Sequence, residues 1–273
     1  MRKNQKLQTL HHPFFINCFT IGAFVNWAGW YFLASAMLTE ARSKNISVAF
    51  WGDHYDLSRN ATGWGGFAGL KALFNQQDPS TIRLCTGDIL YPNDLSDRDG
   101  GKHRIDILND FNLTAVILGN HDLDGGEENA RNLISESHFP WLASNVVDGQ
   151  GNYFTGNNQT LLLDIDGIKV GIFGLISETT PTLLMKKNNI TFTSIISTAR
   201  KMVEELKSRG AQLILAGTHM DPAEDERLAL EVPGIHAIFG GHDHSKIAKL
   251  IGNTLLIKPG QEAECLAKVT FLV

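Results

Sequence analysis

The chain is 273 residues long, 43% hydrophobic and 19% charged, which excludes a disordered polypeptide and allows one large domain or two small ones. Its net charge of −5, without any run of Lys and Arg, excludes a nucleic-acid polymer as partner, because nothing offers a phosphate-tracking surface. Positive potential for an anionic substrate must then come from something local, such as metal ions.

The three cysteines, Cys18, Cys85 and Cys265, form no CxxC pair, so neither a zinc knuckle nor a disulfide framework is expected. Cys85 and Cys265 sit in apolar strand-like runs and read as inert core residues. At the start of the chain, residues 1–6 carry Arg2, Lys3 and Lys6, and no charge occurs from Phe14 to Leu38. That stretch is long enough to cross a bilayer, although Asn17, Asn26 and several Gly, Trp and Tyr residues dilute it. The basic start, apolar middle and Ala34-Ser35-Ala36 also fit a secretory signal with a small-residue cleavage site. Residues 1–44 are expected to be a signal peptide or, through residues 14–38, a membrane anchor, and either places the folded part outside the cytoplasm. A buried helix of the main fold is the weaker alternative, because the region from residue 45 onward is complete without it. Asn-x-Ser/Thr triplets begin at Asn45, Asn60, Asn112, Asn158 and Asn189; they are glycosylation acceptors if the source has that pathway, though an Asn-rich chain also produces them by chance.

The folded region opens with Ile46-Ser47-Val48-Ala49-Phe50-Trp51, a strand ending at Gly52-Asp53-His54-Tyr55-Asp56. Residues 63–76 are expected to be a helix with Phe67, Leu70, Leu73 and Phe74 on one face. Ile82-Arg83-Leu84-Cys85 is a second strand, ending at Thr86-Gly87-Asp88. A polar loop over 92–102 leads to a helix reaching about Asn112. The apolar run Thr114-Ala115-Val116-Ile117-Leu118 then delivers Gly119-Asn120-His121-Asp122 at its C-terminal edge, where open α/β sheets keep their chemistry. A helix over 127–137 and an extended stretch over 141–147 follow. Strands over 161–165 and 168–175 flank Asp166-Gly167, a strong hairpin turn. Residues 194–208 give the clearest helical spacing, with Ile195, Ile196, Ala199, Met202, Val203 and Leu206. A strand over 212–216 delivers Gly217-Thr218-His219-Met220, a helix covers 223–230, and a strand over 236–239 ends at Gly240-Gly241-His242-Asp243-His244. Strands over 254–257 and 266–273 close the chain. This order predicts two packed sheets with helices outside.

Five strand ends thus carry Asp53, Asp88, Asn120 with His121, His219, and His242 with His244. Any one of these alone reads as a solvated loop histidine or a helix-capping aspartate. Together, carboxylate and amide oxygens mixed with imidazoles suit Mn, Fe or Zn better than Ca or a thiolate site. Such a set can hold two ions about 3.5–4 Å apart, clamp a phosphoryl group and activate water.

The series Gly-Asp, Gly-Asn-His-Asp, Gly-Thr-His and Gly-His-Asp-His resembles the calcineurin-like metallophosphoesterases. The flanking segments GNHDLDGG, FPWLASNVVD, GIKVGIFGLISETTP and HAIFGGHDHS are similar to the catalytic domain of the 5′-nucleotidase family, which includes periplasmic UDP-sugar hydrolases and 2′,3′-cyclic nucleotide phosphodiesterases. The resemblance covers residues 46–273 and implies an α/β fold, a four-layer α/β/β/α sandwich of two mixed sheets. It also implies a centre of two divalent ions (Mn, Zn, Fe or similar). Asp53, Asp88 and His244 would hold one ion, and Asp88, Asn120, His219 and His242 the other, with Asp88 bridging. His121 would be the catalytic histidine and Asp124 its orienting partner.

The chain departs from the family twice. The first motif is usually Asp-x-His, and here the third position is Tyr55. Asp53 and Tyr55 share one face of an extended segment, so His54 is not expected to substitute. A phenol near pKa 10 is a poor ligand until a metal lowers it. Tyr55 is therefore expected either to ligate a weakened first site, helped by Asp56, or to line the cleft without touching metal. Full-length 5′-nucleotidases also continue into a C-terminal domain that grips the nucleoside, whereas this chain ends at Val273; residues 45–273 are expected to be the catalytic domain alone, as a fragment or as a one-domain enzyme of broader specificity. The expected function is metal-dependent hydrolysis of phosphate monoesters, 5′-nucleotides foremost, on a small phosphorylated substrate. The alternatives are a cyclic-nucleotide or general phosphodiesterase, and a non-catalytic relative that binds metal or ligand.

Overall fold

The computed structural model describes residues 43–58, 63, 65–156, 159–182 and 189–273, together with the backbone of Phe14–Asn17. Alternation along the strands decides the layering. In a strand successive side chains point to opposite faces, and here both faces are apolar. Strand β1 (Phe14–Asn17) and strand β2 (Asn45–Trp51) belong to a first sheet with β3 (Ile82–Cys85), β4 (Ala115–Ile117), β5 (Trp141–Leu142) and β14 (Ala267–Leu272), in the order β1-β14-β2-β3-β4-β5. The pairs β2–β3, β3–β4 and β4–β5 are parallel, while β14 is antiparallel to both of its neighbours. The second sheet joins β7 (Thr160–Ile165), β8 (Ile168–Ile176), β10 (Leu213–His219), β11 (Ala237–Gly241), β12 (Lys246–Ile251) and β13 (Thr254–Pro259), in the order β12-β13-β11-β10-β8-β7. Its four central strands are parallel and the two edge strands antiparallel. Two short strands, β6 (Val146–Asp148) and β9 (Ile190–Phe192), pair apart from both sheets.

Ile46, Val48, Phe50, Leu84 and Ile117 face Val170, Ile172, Leu215, Phe239 and Ile257 across the space between the sheets. The opposite faces carry helices. Ala49, Trp51 and Val116 pack with α1 (Phe67–Asn75), α3 (Lys102–Leu108) and α4 (Glu127–Glu136) through Phe67, Phe74, Ile105 and Leu133. Phe173, Leu175, Ile214 and Ile238 pack under α5 (Ile195–Ser208) and α6 (Pro222–Glu231) through Ala199, Met202, Leu206 and Leu228. The result is the expected four-layer α/β/β/α sandwich. Strands with both faces buried are near-continuous apolar runs, which is why they are visible in the sequence.

The hairpin turn between β7 and β8 has both central residues left-handed, Asp166 at φ 53° and Gly167 at φ 81°, the backbone that Asp-Gly favours. Helix α6 starts with a reciprocal cap in which Asp221 and Glu224 each bond the other's backbone N–H, with Pro222 in the first turn.

Several boundaries differ from the sequence-based expectation. Helix α1 begins at Phe67 rather than residue 63, and the loop over 92–102 contains a single helical turn, α2 (Ser96–Asp99). The stretch 141–147 divides between β5 and β6, which lie in different sheets. Strand β12 was not expected, because Lys246, Lys249 and exposed Leu250 give it no apolar face. Cys85 is buried in β3 as expected, but Cys265 is half-buried in the loop before β14 rather than inside a strand. Of the Asn-x-Ser/Thr acceptors, Asn45, Asn112 and Asn189 are exposed, and Asn60 and Asn158 lie outside the described residues. Apart from the backbone of β1, so do residues 1–42. Among the described residues no helix is long and apolar enough to cross a membrane.

Candidate metal centre

Because β2, β3 and β4 run parallel, as do β8, β10, β11 and β13, the chemistry-bearing segments emerge at the C-terminal ends of the strands, three from the first sheet and two from the second. Backbone bonds bind the first three together: Asp53 N–H donates to Gly87 O and His54 N–H to Asp88 O, each at 2.9 Å. Asp122 completes the join. Its buried carboxylate accepts N–H groups from Asp88 (3.1 Å), Ile89 (2.9 Å), Leu90 (3.0 Å) and Gly119 (2.8 Å), tying the loop after β3 to the loop after β4. Gly119 must be glycine, since a Cβ there would lie 2.2 Å from Asp88 Oδ1.

The structure brings the expected residues together. One ligand atom from each of Asp88, His219 and His242 falls within 4.8 Å of the others. His219 Nε2 is 3.1 Å from Asp88 Oδ2 and 3.2 Å from Asn120 Oδ1, and His242 Nδ1 is 2.9 Å from the same Asn120 oxygen. Asp53 accepts the His242 backbone N–H at 2.9 and 3.1 Å and faces His244 Nε2 at 3.7 Å. The Tyr55 hydroxyl donates to Asp88 Oδ2 at 3.2 Å and lies 3.0 Å from His244 Nε2, so it sits among the donor atoms rather than along the cleft wall. His121 stands at the rim, Nδ1 2.7 Å from Asp124 Oδ2, with its backbone N–H on Asp88 Oδ1 at 2.9 Å. His54 points away, fully buried and stacked on Phe67 at 4.2 Å, and Asp56 is exposed.

Four non-glycine residues here are left-handed: Asp53 (φ 51°), Asp88 (54°), His242 (85°) and His244 (61°). Each such conformation costs about 1–3 kcal/mol and survives only where its surroundings over-determine it. Backbone strain of this kind clusters at active sites and ligand clamps.

The electrostatics ask for a cation. Burial pushes the Asp53 carboxyl up to about 7, the His219 charge opposing and Asp88 adding to it. Burial works against ionisation of Asp88 too, but His219 and His121 outweigh it and hold this carboxyl below its usual range. His219 is driven up to about 9: burial lowers it, and Asp88 more than compensates. His242 falls to about 4 through burial and the nearby His219 charge, and burial lowers His244 as well. Tyr55 is raised by burial and then by Asp88 and Asp53. His121 is raised, first by its bond to Asp124.

Two buried carboxylates at close quarters with imidazoles and an amide oxygen fit hard or borderline divalent ions, with the proton held on His219 in the metal-free site the one that an ion would displace. His219 is oriented for ligation, because its Nδ1 donates to Thr86 O at 2.7 Å and leaves Nε2 facing Asp88. The donor set therefore fits a metal centre.

Four supporting residues escaped sequence reasoning. Asp122 lay inside a recognised motif without a role. Glu262 accepts the N–H groups of Tyr55 (3.2 Å) and Asp56 (3.0 Å), and buried Arg104 donates to the carbonyls of His54 (3.2 Å) and Tyr55. Lys258 is buried behind the histidines. Only Lys258 left a signal, a charge directly after the apolar Leu255-Leu256-Ile257.

Comparison with known proteins agrees with this geometry. The family model described as calcineurin-like phosphoesterase matches residues 46–246. A 2′,3′-cyclic-nucleotide 2′-phosphodiesterase/3′-nucleotidase of Salmonella typhimurium is 29% identical over 195 residues, covering 61% of this chain and 30% of that protein. A snake venom 5′-nucleotidase of Gloydius brevicauda is 27% identical over 150 residues, covering 53% of this chain and 25% of that protein. The chain thus spans less than a third of the length of these relatives. Among solved structures, a 5′-nucleotidase precursor of Thermus thermophilus superposes with a TM-score of 0.72 at 20% identity, covering 84% of this chain and 54% of that one, which is a likeness of fold.

Proposed function

The chain belongs to the calcineurin-like phosphoesterases, and from that premise we propose that it hydrolyses phosphate monoesters, 5′-nucleotides foremost, at a centre of two divalent ions. The observation that carries this is the convergence of Asp88, His219 and His242 within 4.8 Å, flanked by Asp53, Tyr55, Asn120 and His244. Asp53, Tyr55, Asp88 and His244 would hold one ion and Asp88, Asn120, His219 and His242 the other. When bound, the ions supply water activation near neutral pH and polarise the phosphoryl oxygens.

The chain's own residues do the rest. Asp124 accepts a hydrogen bond from His121 Nδ1–H at 2.7 Å and fixes the ring and its tautomer, which leaves Nε2 as the nitrogen free to act. Through it His121 stabilises charge on the phosphoryl oxygens or delivers a proton to the leaving oxygen. Asp122 and Glu262 hold the segments carrying Asp88 and Tyr55, so the donors need no reorganisation.

In this reading residues 45–273 are the catalytic unit and 1–44 export or anchor it, and the pairing of Phe14–Asn17 with β14 would be given up when the leader is removed or enters a membrane. Export draws support from the uncharged stretch 14–38 and from the similarity to a venom enzyme.

The test is phosphate release from AMP by the full chain with Mn²⁺ and with EDTA. Release should depend on the metal, and His121→Ala should lower kcat at least 100-fold. Full activity in EDTA, or in His121→Ala, would sink the proposal. A second activity, cleavage of 2′,3′-cyclic nucleotides, is motivated by the Salmonella relative; relative rates on 2′,3′-cyclic AMP and AMP decide between them. Metal binding without turnover of either would leave a non-catalytic relative.

A further inference from the structure

A buried ammonium is costly unless its protons find acceptors. Lys258, the residue before the last in β13, is only 3% exposed. Ile257 faces the core between the sheets and Leu256 the helix side, so strand alternation sends the Lys258 stem toward α6. Its Nζ lies 2.6 Å from Met220 O, 2.8 Å from Gly241 O, 2.5 Å from Asp243 Oδ1 and 3.1 Å from Asp225 Oδ2. Asp225, on α6, also accepts the Thr218 hydroxyl at 2.7 Å.

The order of these contacts along the chain is informative. Met220 follows His219, Gly241 precedes His242, and Asp243 stands between His242 and His244. A single side chain therefore reaches within one residue of each of the three histidines that the second sheet contributes. An ammonium has three protons, enough for both carbonyls and one carboxylate, with the second carboxylate held by charge. We propose that Lys258 is a positioning residue that sets the spacing of the β10 and β11 ends, and through it the geometry of His219, His242 and His244. This rests on the reading of the site as a metal centre. Nothing requires Lys258 to touch substrate or metal; it acts through the backbone.

The test is calorimetric titration of the full chain with MnCl₂, alongside far-ultraviolet circular dichroism and a thermal melt. Lys258→Met should keep the secondary structure and weaken the Mn²⁺ dissociation constant by roughly 10–100-fold, the range for residues that orient ligands. Unchanged affinity in a folded Lys258→Met chain overturns the proposal. If the single variant fails to fold, Lys258→Met/Asp225→Asn removes the uncompensated buried carboxylate and is measured instead. Weakened affinity in the double variant supports positioning, and wild-type affinity overturns it. Failure of both to fold also overturns it, since the lysine would then serve the core. His219→Ala separates the premise from the inference: it should remove the binding event of the Asp88, Asn120, His219 and His242 site from the titration, and wild-type stoichiometry and affinity in that variant overturn the metal centre itself, and with it the role of Lys258.

Discussion

A carboxylate that accepts backbone N–H groups is held ionised by them, and Asp99 does this ahead of α3. It accepts from Gly101 N–H at 2.9 Å, His103 N–H at 3.0 Å and the His103 ring at 2.8 Å. Partial burial would raise this carboxyl, but the His103 and Gly101 bonds outweigh it, so the folded value is depressed. The stabilisation is therefore present above the unfolded carboxyl value of about 3.9 and disappears as pH falls through the lower folded value. Asp99→Ala should cost about 0.5–2 kcal/mol at pH 7 by urea unfolding, and the gap from wild type should shrink as pH falls below the unfolded carboxyl value. A gap that persists at low pH would place the effect in packing instead. The same chemistry explains which site residues were legible. Asp53, Asp88, Asn120, His219, His242 and His244 each follow an apolar run that names the strand. Asp122, Glu262 and Arg104 act on backbone groups whose positions are set by tertiary packing, such as Asp53 O accepting Glu262 N–H at 2.8 Å, and no local pattern announces such partners.

Among elements, the β7–β8 hairpin was the most readable, because Asp166-Gly167 prescribes its own turn and the flanking residues Ile165 and Ile168 pair directly. Gly167 sits at φ 81°, a conformation that costs an L-residue about 1–2 kcal/mol. Gly167→Ala should lower stability by that amount in urea without altering metal affinity, since the turn carries no donor. A loss of affinity would mean that the edge of the second sheet is coupled to its centre. Helix α5 was equally plain, with six buried residues at helical spacing. Strands β9 and β12 were hidden for a common reason: short or half-exposed strands bury too little to impose an alternation.

At the scale of the whole molecule, the first sheet supplies oxygen donors and the second supplies imidazoles, so an ion at the centre would join the two halves of the sandwich. Mn²⁺ at a hundredfold excess over its dissociation constant should stabilise the chain by about 2.7 kcal/mol, raising Tm by roughly 5–10 °C. A Tm independent of Mn²⁺ would contradict the proposed centre. The four layers were foreseeable from strand and helix order, yet the partner of β2 was not, because that partner is β14, with Val48 opposite Val269. This pairing carries a consequence for biosynthesis. While the ribosome is still making β14, β2 has β3 on one side and bare N–H and C=O groups on the other, an open template for another nascent chain. The second sheet is no earlier a unit, since its own β13 (Thr254–Pro259) is made just ahead of β14 (Ala267–Leu272). The strands that carry the oxygen donors, β2 to β4, therefore wait with one open edge until nearly all of this sequence has been made.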